Sequence, residues 1–192
     1  MFSFCKESHK IYQEDYCKYL DLDQGWDNYK LGAIKSGYNS KLSNLWLFKS
    51  GTSSNQTFVI VPSLFNSPAI LFLNRKQNYI EYVKSFGDVY LIEWKETKDT
   101  LKLYDYAKDV AKAVRFVQDR TSTQPNLVGH CIGGNIVIFS TFIYNNIKSL
   151  TLLTTPWDYS HFAAPYFLSE ALQIKKAIYG LDTVPKIYIQ MM

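Results

Sequence analysis

From Thr57 to Leu153, apolar runs of two different periods take turns along the chain, and this alternation is the strongest constraint the sequence places on its fold. Thr57-Phe58-Val59-Ile60-Val61 is a β-branched run stopped by Pro62, the pattern of a strand buried on both faces. Arg75 to Phe86 has helical spacing, with Tyr79, Ile80, Tyr82, Val83 and Phe86 on one side and Gly87 at a C-cap position. Val89-Tyr90-Leu91-Ile92 reads as a second buried strand, ending at Glu93-Trp94. Leu103 to Gln118 is an amphipathic helix carrying Tyr106, Val110, Ala113, Val114 and Val117. Asn126-Leu127-Val128 is a short third strand, Asn135 to Tyr144 a buried helix, and Ser149 to Leu153 a fourth strand. Strand and helix in strict succession predict an α/β fold, a parallel sheet with helices on both faces.

The first 50 residues are polar, aromatic and poorly periodic, and are expected to form an N-terminal extension to a core over residues 51–160. Within them Ser8 to Leu22 has a helical pattern, Gly25 to Ser43 reads as loops and turns, and Leu45 to Phe48 as a short strand. Hydrophobic residues at 47% and aromatics at 16% exclude a disordered chain, and 192 residues suffice for one domain with a proper core. The net charge of +4 is spread over scattered lysines, without the basic stripe or block of a nucleic-acid binder. The N-terminus MFSFCKESHK lacks the basic start and apolar run of a secretion signal, and no stretch approaches the ~18 apolar residues of a membrane span. Cys5, Cys17 and Cys131 include no C-x-x-C pair, so no metal site is expected. Their odd number without a signal points to reduced thiols and a cytoplasmic location, with a Cys5–Cys17 disulfide as the alternative.

One motif carries chemistry. Gly129-His130-Cys131-Ile132-Gly133-Gly134 sits between the third strand and the following apolar helix. Strand, G-x-C-x-G, helix is the context of a nucleophile elbow, in which a sharp, strained turn pushes the nucleophile into the open. Gly129, Gly133 and Gly134 would let strand and helix approach closely. The unpaired N–H groups and positive dipole end of the new helix favour a thiolate and then an oxyanion. The Ile132 N–H, just after the nucleophile, is the natural first oxyanion donor. The competing reading is a buried cysteine in a glycine-rich turn.

The GHCIGG box resembles that of the polyhydroxyalkanoate synthases, polyester synthases of the α/β-hydrolase fold whose box is G-x-C-x-G-G. Four further segments are similar in the same order: VPSLFNSPAILFL (Val61 to Leu73), SFGDVYLIEWK (Ser85 to Lys95), YDYAKDVAKAVRFV (Tyr104 to Val117) and LTLLTTPWDYS (Leu150 to Ser160). The resemblance covers residues 57–160. It implies a reaction on (R)-3-hydroxyacyl-coenzyme A, in which Cys131 holds the acyl group as a thioester and passes it through ester bonds to a growing polyester chain. It implies no metal and no cofactor beyond this substrate. A backbone N–H at Ser63 or Leu64 would join that of Ile132 in an oxyanion hole. A location at polyester granules within the cytoplasm is implied as well.

In this fold the acid and the base follow the nucleophile. The tail from Ala164 to Met192 resembles the start of the family's cap region, assigned to residues 161–192, rather than the strands that bear the acid and His. The expectation is therefore a C-terminally incomplete α/β-hydrolase core with neither triad acid nor triad His in the chain. His161, with Asp158 nearby, reads as a surface-loop histidine, His130 as a packing residue, and Asp182 has no His after it. A sheet ending after its fourth or fifth strand would bare an edge and an apolar face, to be met by a separately encoded second half or by a homodimer. Two rival readings are a non-catalytic fragment or pseudo-enzyme of the same fold, and a cysteine-type hydrolase of small esters.

Overall fold

The computed structural model describes residues 26–64, 67–72, 76–97 and 101–157. The helix expected over Ser8 to Leu22, together with Cys5, Cys17, His9, Asp158, His161, Asp182 and the region 161–192, lies outside the described residues. The elements in chain order are α1 (described over residues 26–30), β1 (Ile34–Asn39), β2 (Ser43–Phe48), β3 (Thr57–Val61), a 3-10 turn (Pro68–Leu71), α2 (Tyr79–Lys84), β4 (Asp88–Trp94), α3 (Leu103–Thr121), β5 (Asn126–His130), α4 (Ile132–Ile143) and β6 (Ser149–Leu153). The strands form one six-stranded sheet in the order β1-β2-β4-β3-β5-β6. β4, β3, β5 and β6 run parallel, while β2 is antiparallel to both β1 and β4.

Period-two alternation divides the core into two layers. Val59 and Val61 of β3, Tyr90 and Ile92 of β4, and Leu127 of β5 face α3 and α4, meeting Val110, Ala113, Val114 and Val117 of α3 and Ile136 and Val137 of α4. Ile60, Val89, Leu91 and Val128 face the opposite way, onto Trp26 of α1, Ile80 and Val83 of α2, and Ala69 and Leu71 of the 3-10 turn. Both faces are therefore covered, and the central strands read as continuous apolar runs because neither face meets water. Each fully buried Val, Leu or Ile contributes about 1.5–3 kcal/mol of transfer free energy.

Where the structure departs from the sequence reading, the reasons are local. The segment Gly25 to Ser43 is not all loop: it holds the described end of α1 and the edge strand β1. In β1 only Ser36 is buried, Ile34 is exposed, Gly37 takes φ +94°, and the register with β2 shifts between Lys35 and Asn39. An edge strand with its apolar residue outward and a bulge inside it carries no alternation to detect. The sheet is accordingly mixed rather than wholly parallel, and the strand read as fourth is the sixth.

α2 starts only after Asn78, whose side-chain oxygen accepts from the Glu81 N–H. Gly87 does not cap α2; the C-cap is Ser85 in the right-handed helical region. Gly87 is instead held against Gln56, whose backbone carbonyl carbon would lie 2.7 Å from an added Cβ. α4 begins at Ile132, because Gly133 and Gly134 are themselves helical.

A buried polar cluster ties the β1–β2 hairpin to α3. Asp109 accepts hydrogen bonds from the Tyr38 hydroxyl (2.9 Å) and the Ser43 hydroxyl (2.5 Å). Burial first, then the Asp109 charge, pushes the Tyr38 phenol above its ordinary value, so it stays a donor. On the other side of the sheet, Glu93 accepts from Lys30 Nζ (2.6 Å) and Trp46 Nε1 (2.7 Å). Among the described residues, no helix is long and apolar enough to cross a membrane, and no cluster of His, Cys, Asp and Glu could hold a metal ion.

Candidate active site

β5 runs to His130, and the chain turns at Cys131 into α4. Cys131 is the N-cap residue, with φ 54° and ψ −129°. L-residues rarely adopt this conformation, and it persists only where surrounding contacts over-determine it. Those contacts are present. The Cys131 N–H donates to the Leu153 carbonyl at the end of β6 (2.9 Å), and the Cys131 carbonyl accepts from the Gly134 N–H (2.8 Å). Thr154, the next residue along from Leu153, also has positive φ, at 47°. The two strained residues thus sit at the C-terminal ends of neighbouring strands. The thiol is free and half-buried.

Three glycines permit this geometry by closeness rather than by positive φ. A Cβ on Gly129 would lie 2.5 Å from Val137 Cγ2 and 2.6 Å from Gly134 Cα. One on Gly133 would collide with the Val61 carbonyl and lie 2.6 Å from that of Pro62. One on Gly134 would enter the Thr155 side chain, 2.5 Å from its Cγ2. The first turn of α4 is thereby pressed onto the end of β3, just before Ser63 and Leu64. Ser63 is buried and Leu64 half-buried. The Ile132 N–H is among the first four of α4, which have no partner within the helix. Ile132 and Leu64 both line one cavity of about 750 Å³, whose other walls include Trp94 from β4, Leu103 and Tyr106 from α3, and Phe139 from α4. Cys131 sits directly before the Ile132 wall.

The sequence reading gave a site role to Ile132 and Leu64 but none to Trp94, Leu103, Tyr106 or Phe139. Trp94 donates its Nε1–H to the Pro62 carbonyl (3.1 Å) and meets the Tyr106 ring edge to face at 5.3 Å. A tryptophan at the C-terminal end of a buried strand was the available signal. Asn135 donates to the Pro156 carbonyl (2.9 Å) and holds the segment after β6 against α4.

His130, the described histidine, is half-buried, and its Nδ1 is sealed from solvent without a hydrogen-bond partner. Burial holds its imidazole below the ordinary value of 6.5, so it is neutral at pH 7. The buried Thr155 Oγ1 likewise has no partner. The described residues thus assemble a turn-borne thiol, a helix N-terminus and an apolar cavity.

No protein-family model matches this chain, and no curated protein is similar to it in sequence. Solved structures do share its fold, which is that of the α/β-hydrolases. The carboxylesterase CesB (YbfK) from Bacillus subtilis superposes with a TM-score of 0.55 at 13% identity, over 80% of this chain and 55% of that one. A candidate lipase (Lip1) from Acinetobacter baumannii AYE gives 0.54 at 18% identity, over 91% and 62%. A lipase-esterase related protein from Clostridium acetobutylicum ATCC 824 gives 0.52 at 16% identity, over 76% and 57%. The chain spans 55–62% of the length of these three proteins.

Proposed function

We propose that this protein performs acyl transfer through a thioester on Cys131, in the manner of the polyhydroxyalkanoate synthases that its motifs resemble. The observation that carries the reading is the strained backbone of Cys131, φ 54° and ψ −129°, at a β5–α4 turn. A thiol could occupy a relaxed loop at no cost; a conformation costing of order 1–3 kcal/mol is retained where it aims a side chain.

In this reading the Cys131 thiolate attacks the carbonyl carbon of a 3-hydroxyacyl-coenzyme A. The Ile132 N–H and a backbone N–H at Ser63 or Leu64 stabilise the tetrahedral oxyanion. The intermediate collapses with cleavage of the carbon–sulfur bond to coenzyme A, which leaves as a thiolate and takes up a proton. The hydroxyl of a second hydroxyacyl unit then attacks the Cys131 thioester, forming an ester and releasing the thiol. The described residues supply the nucleophile and the oxyanion donors; the base and the acid of a triad are not among them. A reaction on coenzyme A thioesters belongs in the cytoplasm, and its polymer would keep the protein at granule surfaces.

The fold neighbours favour a second reading, since one is named a carboxylesterase: water, rather than a hydroxyacyl group, resolves the thioester. Incubation with 3-hydroxybutyryl-coenzyme A, followed by mass mapping of peptides, separates these readings. The first expects an acyl adduct on Cys131, lost in Cys131→Ala, and ester-linked oligomers. Free 3-hydroxy acid without oligomers favours hydrolysis. An unmodified Cys131 at millimolar substrate, with no free 3-hydroxy acid and no oligomers released, overturns both.

A further inference from the structure

The geometry points to a medium-chain acyl group, about eight to ten carbons long, as the cargo of Cys131, a size suited to the 300–1,000 Å³ of ordinary ligand pockets. The inference rests on the acyl-enzyme reading above and concerns the cavity that begins at Ile132. Its volume of about 750 Å³ admits a four-carbon and an eight-carbon acyl group alike, so the length of its apolar wall sets the size. The wall running from Ile132 to Phe139 follows α4 for seven residues, about 10 Å of helix axis, the length of an extended chain of about eight carbons.

The wall chemistry agrees with the size. Leu64, Trp94, Leu103, Ile132 and Phe139 are apolar, and burial pushes the Tyr106 phenol above its ordinary value, keeping it uncharged. The two other polar side chains on the wall with a donor, Asn135 and Lys95, are committed elsewhere: Asn135 to the Pro156 carbonyl and Lys95 to Asn39 and the Ser40 carbonyl. Trp94 is fixed by its bond to Pro62 and its contact with Tyr106, so the wall is preformed. A four-carbon group would leave most of this surface to water. Each added methylene gains about fourfold in transfer from water until the cavity is full.

The test uses the full chain with Cys5→Ser and Cys17→Ser, so that Cys131 is the thiol observed. Acylation by 3-hydroxyacyl-coenzyme A substrates of four, six, eight and ten carbons is followed by intact mass. The second-order rate constant is expected to rise about fourfold per methylene, placing eight carbons on the order of 100-fold above four. Leu103→Trp, which fills the cavity from α3, should cut that ratio at least tenfold. Equal rates for four and eight carbons overturn the inference and leave the acyl-enzyme reading standing. No acylation at any length overturns that reading. In that event calorimetric binding of octanamide and butyramide tests the cavity by itself: octanamide binding on the order of 100-fold tighter supports it, and equal binding removes it.

Discussion

Cys131 is held in a conformation that glycine adopts more easily than any other residue, and under the proposed acyl-enzyme reading this sets stability against chemistry at one position. The strain of a non-glycine residue there is worth about 1–3 kcal/mol, and the extra backbone entropy of glycine opposes its removal by about 0.5–1 kcal/mol. Cys131→Gly is therefore expected to stabilise the fold by about 1 kcal/mol in denaturant unfolding, while abolishing acylation. A destabilised glycine variant would show that the turn is not strained. The neighbouring His130 makes a second residue-scale prediction. Burial lowers its folded pKa below 6.5, so the unfolded chain binds the extra proton first as pH falls. Stability should be fully present above pH 6.5 and decline below it, and His130→Phe should flatten that slope in urea titrations between pH 7 and 5.

At the scale of elements, the site is a matter of clearances between β3, β5, α4 and the segment after β6. Gly133 faces backbone carbonyls that cannot move aside, whereas the atoms nearest a Cβ on Gly134 all belong to the Thr155 side chain. The two glycines should respond differently. Gly134→Ala is expected to cost about 2 kcal/mol or more, as overpacking does, and Thr155→Gly in the same chain should recover most of it. No second-site change at Thr155 should rescue Gly133→Ala. Thermal unfolding of the four variants measures the coupling, and additive losses at 134 and 155 would contradict the packing. Gly87 follows the same logic, since closeness to Gln56 rather than helix capping explains it.

Across the whole molecule, the two edges of the sheet are unlike. The β1 edge carries Lys35 and a register shift, both ordinary guards against edge-to-edge pairing. The β6 edge is SLTLL, uncharged and regular, with Leu150 39% and Leu152 43% exposed. On nearby α4, Phe142 is 81% exposed. Among the described residues no strand pairs with the outer side of β6. Self-association should rise with concentration in light scattering, and Thr151→Lys, which places a charge on the open edge, should suppress it without changing the far-ultraviolet circular dichroism. Unaltered association in that variant would locate the contact elsewhere.

The sequence by itself determined the α/β alternation, the two-faced burial of β3, β4 and β5, and the order strand, GHCIGG, helix, because fully buried elements must spell out their apolar periods and a tight strand-to-helix turn must use small residues. It missed β1, whose outward Ile34 and inward Ser36 invert the expected pattern. It also missed the cavity, because Leu64, Trp94, Leu103, Ile132 and Phe139 come from separate stretches of chain that only the sheet order brings together. What the tertiary structure decided was the strain at Cys131, the close approaches that require Gly87, Gly129, Gly133 and Gly134, and the size of the cavity lined by Ile132. These are properties of distances between elements, and no local pattern of residues encodes them.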